Sequence, residues 1–374
     1  MPSSLARQVF EFGRRLESIK RAVALSNGML WYPFHTLAAL EQFDGFPGDG
    51  AHKLRAMIGG DPVLDLGCGD GDAAFFLESL GYRVDAVDFG PTNCNRMAGV
   101  QTMKQHLRSG IGIHSVDLDT RPHLPAANYG LALMLGILYH LKNPFLVLET
   151  LARQSRYLFL STRIASLSPD KRVNFGALPA AYLVDDEELD HDRTNFWVFS
   201  GEGLKRLVRR AGWELREYAT TGNAATADPV SKHHDARAFL LAESRLAARI
   251  HLESGWHQLE DESWRWTERR FSVLLEVAAT LAPATVRLRF HLPMLLLEQR
   301  RAVTLEARWN ESALPRVTYS TPGRHEYTAT IPRLEPGAVR VEFELDTVLE
   351  PSGLDQRELG VQVDFRGGPP VGFS

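Results

Sequence analysis

Val63-Leu64-Asp65-Leu66-Gly67-Cys68-Gly69-Asp70-Gly71-Asp72 decides how this chain folds. An apolar run carrying one acid leads into closely spaced glycines, and Ala73 to Leu80 then reads as helix, so the segment is strand, tight loop, helix. Glycines at 67, 69 and 71 let backbone approach a ligand closely, and a helix start adds oriented N–H groups and partial positive charge. Such a loop suits a polar cofactor. A dinucleotide fingerprint places its third Gly or Ala five residues after the first, where this chain has Asp72, so NAD is disfavoured. The Walker pattern is absent, because no Gly-Lys-Ser/Thr follows.

Outward from the loop, apolar strand-like runs alternate with helical patterns. Pro62 to Leu66, Tyr82 to Val87, Ile111 to Val116, Gly130 to Gly136 and Arg156 to Thr162 read as strands. Asn143–Pro144 supplies a cap and a first-turn proline for a helix over Phe145 to Ala152. Ser200 caps another carrying Leu204, Leu207, Val208 and Ala211, which stops at Gly212 before a strand from Trp213 to Tyr218. The pattern predicts a mostly parallel sheet with helices on both faces.

Upstream, Leu5, Val9, Phe12, Leu16, Ile19 and Val23 fall on one helical stripe, with Arg7, Arg14, Arg15 and Arg21 between them. Such a helix caps the main domain or makes a short dimer contact, and an anionic surface is the sharper alternative. Downstream, Thr220 to Arg237 is rich in Thr, Ala, Asn and Asp, contains Pro229 and the pair His233–His234, and reads as a linker or mobile loop. The period then changes to two: Val286, Leu288 and Phe290; Val303, Leu305, Ala307 and Trp309; Val339, Val341, Phe343 and Leu345; Leu359, Val361, Val363 and Phe365. Pro322–Gly323 and Pro336–Gly337 fit turns with a positive-φ glycine, which completes the signature of an antiparallel sandwich. The expected organisation is a helical cap over 1–50, an α/β domain over 51–220, a linker over 221–250 and a β-sandwich over 251–374.

Bulk properties agree with a folded chain of 374 residues, too long for one core. Hydrophobic residues are 44% and charged residues 24%, which excludes disordered, collagen-like and disulfide-rich classes. With 42 basic and 46 acidic side chains the formal charge is −4, lacking the basic excess that accompanies nucleic-acid binding. Cys68 and Cys94 are too few for a disulfide framework and lack metal-ligand spacing, so the reading is a cytoplasmic chain. No apolar run approaches the ~20 residues of a membrane helix, so membrane insertion is not expected.

The glycine loop resembles motif I of the class I S-adenosylmethionine-dependent methyltransferases, in which an acid, here Asp65, precedes G-x-G-x-G. The resemblance covers about residues 28–220 and implies a Rossmann-like domain binding S-adenosyl-L-methionine at Asp65, Gly67, Gly69 and Gly71. It further implies that Asp88, beside Phe89 at the end of the second strand, accepts hydrogen bonds from the ribose hydroxyls. Bonds to a charged acceptor are worth about 1.5–3 kcal/mol, which suits a carboxylate to that task. Asp117 and Leu118, after the third strand, match the positions where the family holds adenine.

The fourth strand ends in Leu135-Gly-Ile-Leu-Tyr139-His140, which is similar to the branch that includes the tRNA uridine-5-oxyacetate carboxymethyltransferase. That likeness implies Tyr139 beside the methionine part of the cofactor and His140 either as a general base, a task an imidazole suits because it titrates near neutrality, or in a structural or cofactor-packing role, since methyl transfer often needs only alignment. Gly28-Met-Leu-Trp31-Tyr32-Pro-Phe34-His35 resembles the aromatic segment that covers the cofactor in that branch, although core packing explains Trp31 and Tyr32 equally well. A carboxylated cofactor needs further cations that neither Lys53 nor Arg55 clearly provides, which favours plain S-adenosylmethionine. His191, Asp192, Asn195 and Trp197 are the acceptor-side candidates, in an acidic stretch that also reads as a solvated loop with no spacing diagnostic of a metal.

Trp256, Trp264 and Trp266 resemble the Trp-Arg-Trp-Thr modules appended to some bacterial polysaccharide-processing transferases. The leading expectation is therefore methyl transfer to a small-molecule acceptor, with sugars or polysaccharide precursors suggested by that module. A tRNA-modifying transferase and a non-catalytic glycan-binding or assembly protein stand as alternatives.

Overall fold

The computed structural model describes residues 4–58, 61–125, 128–231, 235–247, 249–258, 260, 264–277, 280, 282–353, 355–364 and 371–373. His233–His234 and Phe365 lie outside them. The chain divides into two compact units, Met1–Pro125 with Tyr129–Arg245, and Ala126–Asn128 with Leu246–Ser374.

In the first unit α1 (Leu5–Asn27) begins at Ser4, whose Oγ accepts the Arg7 N–H, and ends at Gly28 in the left-handed region (φ 70°), a conformation glycine adopts without cost. Leu5, Val9, Leu16 and Val23 are buried, each worth about 1.5–3 kcal/mol, and the Phe12 ring meets Phe76 edge-on at 5.6 Å. The apolar stripe thus packs on the unit's own core, which is the capping use. Short helices α2 (Gln42–Gly45) and α3 (Gly50–Ile58) lead to β1 (Val63–Leu66), α4 (Asp72–Ser79), β2 (Val84–Asp88), α5 (Ala98–Leu107), β3 (Gly112–Ser115), β4 (Tyr129–Leu135), α6 (Pro144–Gln154) and β5 (Ser155–Ile164). Then come β6 (Ala181–Leu183), β7 (Trp197–Phe199), α7 (Gly201–Arg210), β8 (Trp213–Thr221) and β9 (Ala236–Ser244).

The sheet runs β3-β2-β1-β4-β5, all parallel, and continues through β9, antiparallel to β5, to β8, antiparallel to β9. β7 touches β5 only at Phe199 and Ile164, and pairs with β6. Every residue of β1 and β4 is buried, the burial expected of parallel strands covered on both faces. Strand order reverses between β1 and β4, so a crevice opens at their carboxyl ends.

Two local expectations need correction. Asn143 stands at the α6 N-cap position without a side-chain capping bond; its Nδ2 donates to the Asp119 carbonyl at 3.3 Å, and Pro144 alone starts the helix. The stretch read as a linker over 221–250 contains β9, whose Ala238, Phe239, Leu240, Leu241 and Ala242 are all buried. A strand covered on both faces has no polar alternation to betray it. Ser200 does cap α7, accepting the Gly203 N–H at 2.9 Å.

The second unit is antiparallel: β10 (Arg249–Trp256), β11 (Trp264–Val277), β12 (Ala284–Leu292), α8 (Met294–Gln299), β13 (Val303–Trp309), β14 (Ser312–Ala313), β15 (Val317–Tyr319), β16 (Gly323–Ile331), β17 (Gly337–Leu345), β18 (Gln362–Asp364) and β19 (Val371–Phe373). Residues 270–277 of β11 pair with β17, while 264–266 pair with β18, so one strand serves both halves of the sandwich. Val273, Leu288, Leu305, Tyr327 and Val341 meet in one apolar core, with Phe271 stacked on Phe343 at 5.0 Å. Gly323 (φ 111°) and Gly337 (φ 138°) hold the positive-φ positions of the two expected turns. Trp256 and Trp266 serve this core: Trp256 donates its N–H to the Ser272 carbonyl and meets Phe271 edge-on, and Trp266 is buried.

Candidate active site

The glycine loop follows β1 as expected, with Gly67, Gly69 and Gly71 at φ 72°, 56° and 82°. Only glycine is at ease there, and side chains close the remaining space: a Cβ on Gly67 would lie 2.5 Å from Ile137, and one on Gly69 3.0 Å from the Tyr32 ring. Asp65 is buried and its carboxylate accepts the Ala74 N–H at 3.2 Å, tying β1 to the first turn of α4. Burial pushes its carboxyl up to about 7, against the pull of that backbone bond.

Asp88 closes β2 beside the loop. Its Oδ2 accepts the Gly69 N–H at 2.9 Å and the Asn93 amide at 3.0 Å, and its Oδ1 the Phe89 N–H at 2.7 Å. Burial raises its pKa while these donors oppose the rise. A carboxylate offers about four lone-pair positions, so one on Oδ1 is left for a hydroxyl. Asp117 caps its own turn by accepting the Asp119 and Thr120 N–H groups, next to buried Leu118, and the Val116 N–H reaches the Asp88 carbonyl at 2.9 Å. These residues therefore sit along one strand edge. Leu135, buried, ends β4 at that edge.

Tyr139 and His140 follow in a short helical turn, Leu138–His140, their rings 4.4 Å apart. The Tyr139 hydroxyl accepts a bond from Arg237 Nη2 at 3.3 Å. Tyr32 has its phenol pushed well above its usual value, first by burial and then by Tyr139 and Asp88, with Arg237 opposing. Arg237 thus joins Tyr139, and the Tyr32 ring lies against Gly69, whose N–H Asp88 accepts. Trp31 does different work: its N–H bonds the Lys20 carbonyl at 2.9 Å and the Lys20 ammonium lies 5.5 Å from its ring, so it packs on α1.

His140 is half-buried, with Nδ1 2.9 Å from Thr194 Oγ1 and 3.0 Å from the Thr194 carbonyl. Burial lowers its pKa, while Asp192, the Thr194 carbonyl and Asp88 raise it and Arg237 lowers it further. Asp192 Oδ1 accepts the Thr194 hydroxyl at 2.6 Å and its N–H at 2.9 Å. The other acceptor-side candidates do not join this group. Asn195 is buried, its amide committed to the Leu189 carbonyl at 2.9 Å. His191 is exposed beside Glu187. Trp197 lines a separate surface cavity with Phe145, Leu146 and Phe199, donating to the Lys142 carbonyl.

Sequence reading missed several partners. Asp70, inside the quoted loop, is buried and accepts from Lys20, the Tyr32 N–H and Asn95; Lys20 also reaches the Asp72 carboxylate at 2.8 Å. The glycine pattern makes Asp70 look like a spacer. Arg237 lies 98 positions from Tyr139 and on a strand the pattern hid, so only the fold could bring it in. Thr194 carried no signal at all.

A reversed strand order with a glycine loop at the crevice and an acid closing the next strand marks a nucleotide-cofactor crevice, and β9, antiparallel between β5 and β8, gives the sheet the class I methyltransferase strand arrangement. Residues 40–218, just under half of the chain, match the model of a family described as a methyltransferase domain, the class whose cofactor the resemblance above gives as S-adenosylmethionine. The glycine backbone and the spare Asp88 lone pair fit that group. Among solved structures, the N-terminal domain of EvdMO1, in the presence of SAH and D-fucose, is 16% identical over 62% of this chain and 97% of that one, with TM-score 0.41. The Burkholderia thailandensis 1,6-didemethyltoxoflavin-N1-methyltransferase, with 1,6-didemethyltoxoflavin and S-adenosylhomocysteine bound, is 18% identical over 65% and 92%, with TM-score 0.37. TehB from Haemophilus influenzae is 18% identical over 55% and 67%, also at 0.37. No curated protein matches the sequence. None of these comparisons points to the tRNA carboxymethyltransferase branch. Among the described residues no helix is long and apolar enough to cross a membrane.

Proposed function

We propose that the chain methylates a hydroxyl, amine or carboxyl group of a small-molecule acceptor. The observation that carries this reading is the convergence of Gly69, Asp88, Tyr139 and His140 on one strand edge. Bound there, S-adenosylmethionine supplies a methyl group made electrophilic by its sulfonium. Asp88 would take the ribose hydroxyls, Gly67, Gly69 and Gly71 would keep the backbone close, Asp117 and Leu118 would flank the adenine, and Tyr32 and Tyr139 would lie beside the methionine part. His140, whose pKa burial lowers, takes the acceptor's proton where the nucleophile carries one. For acceptors already deprotonated, alignment alone suffices. Sugars or polysaccharide precursors are the first acceptors to try, because the Trp-Arg-Trp-Thr segment of the second unit resembles modules of polysaccharide-processing transferases.

Calorimetric titration with S-adenosylmethionine and S-adenosylhomocysteine tests the site. We expect Asp88→Ala to weaken binding at least 10-fold, the loss of one or two charged hydrogen bonds. Unchanged affinity would refute the ribose assignment. With binding established, an acceptor screen starts from nucleotide sugars.

A further inference from the structure

Hydrogen-bond arithmetic around His140 bears on which of its nitrogens carries the proton. Asp192 is an acceptor-only carboxylate, and it lies 2.6 Å from Thr194 Oγ1, so the single hydroxyl hydrogen of Thr194 is spent on Asp192. Toward the imidazole, Thr194 can then only accept, through both Oγ1 and its carbonyl oxygen. An unprotonated Nδ1 would face two lone pairs at 2.9 and 3.0 Å, whereas an Nδ1–H satisfies both. Among the described residues nothing hydrogen-bonds Nε2, and it is not one of the sealed, unpartnered polar atoms of the interior.

We propose that Asp192 and Thr194 are positioning residues that hold His140 as the tautomer protonated on Nδ1, leaving Nε2 as the proton acceptor of the site. The proposal rests on the reading of His140 as the base. The acceptor X–H then gives its proton to Nε2 as the X–C bond forms to the methyl carbon and the S–C electron pair returns to sulfur, leaving a neutral thioether and an imidazolium. Asp192, one hydroxyl away, stabilises that positive charge, as does Asp88; Arg237 opposes it, and the neighbouring ring is Tyr139.

The test is ¹⁵N NMR of the full-length protein labelled at histidine, with His140→Gln supplying the assignment. Wild type should show a protonated Nδ1 and an unprotonated Nε2. Thr194→Val keeps the carbonyl acceptor but loses Oγ1 and the link to Asp192, so the Nε2–H tautomer should gain population and the ring should titrate at lower pH. Thr194→Ser should restore both. Asp192→Asn, a second variant that keeps the shape, should also lower the titration. The acid limb of kcat/KM should move down in pH with it, and the plateau should fall on the order of 10-fold as basicity is lost. A wild-type His140 protonated on Nε2, or unchanged shifts and titration in both Thr194→Val and Asp192→Asn, would overturn the proposal. Failure of the base reading looks different: His140→Gln would turn over at the wild-type rate, whatever tautomer the spectra show.

Discussion

Asp65 illustrates what a single residue contributes and costs. Its carboxyl is buried with one backbone donor and titrates at about 7 instead of 3.8. Between those values the folded chain holds a proton that the unfolded chain has lost, so stability must fall as pH rises through the window, by at most about 1.4 kcal/mol per pH unit. Asp65→Asn removes the ionisation. Denaturant unfolding at pH 6 and pH 8 should show a shallower loss of stability in the variant than in wild type; equal slopes would place the titration elsewhere. At this scale the sequence was legible where geometry is local. The glycines, Asp65 and Asp88 stand at fixed distances around a strand end, and Gly69 and Asp88 are joined by a hydrogen bond. Thr194 and Arg237 were not legible, because each acts through a partner 54 or 98 positions away.

At the scale of elements, periodicity named α1 and the sandwich strands β12, β13 and β17, since each has one wet and one dry face, but it did not name β10, β11 or β16. It failed for β9, which is dry on both faces and follows a polar stretch. It was also silent on how α1 is fastened. Lys20 projects from that helix to Asp70 and Asp72, with the three side chains 14%, 1% and 14% exposed. Removing the cation leaves both acids without their counter-charge, although Asp70 keeps the Tyr32 N–H and the Asn95 amide as donors, and breaking such a buried ion pair costs about 3–5 kcal/mol. Lys20→Met should therefore lower the melting temperature of the first unit by roughly 6–20 °C. Differential scanning calorimetry measures this directly, and an unchanged transition would mean the acids find other donors. Because Asp70 also accepts the Tyr32 N–H, the variant should weaken S-adenosylhomocysteine binding as well.

At the scale of the whole molecule, each unit closes around an apolar core of its own. A ligand that binds one folded unit raises only that unit's transition, by RT ln(1 + [L]/Kd). Calorimetry of the full chain should resolve two transitions, of which S-adenosylhomocysteine shifts one. A single peak moving as a whole would show that the units unfold together.

The bent strand β11 sets a timetable. Its two ends wait for β17 and β18, the nearer partner beginning at Gly337 and the farther at Gln362, so neither half of the sandwich can close on local contacts alone. Loop closure over such distances slows folding. During synthesis the first unit has every strand in hand once Ser244 has emerged, while the sandwich must wait more than a hundred further residues for β18. In that interval β11 can pair with β10 and β12 with β16, but the β11 edge that takes β17 and β18 stays open, and an open edge exposes the growing chain to aggregation.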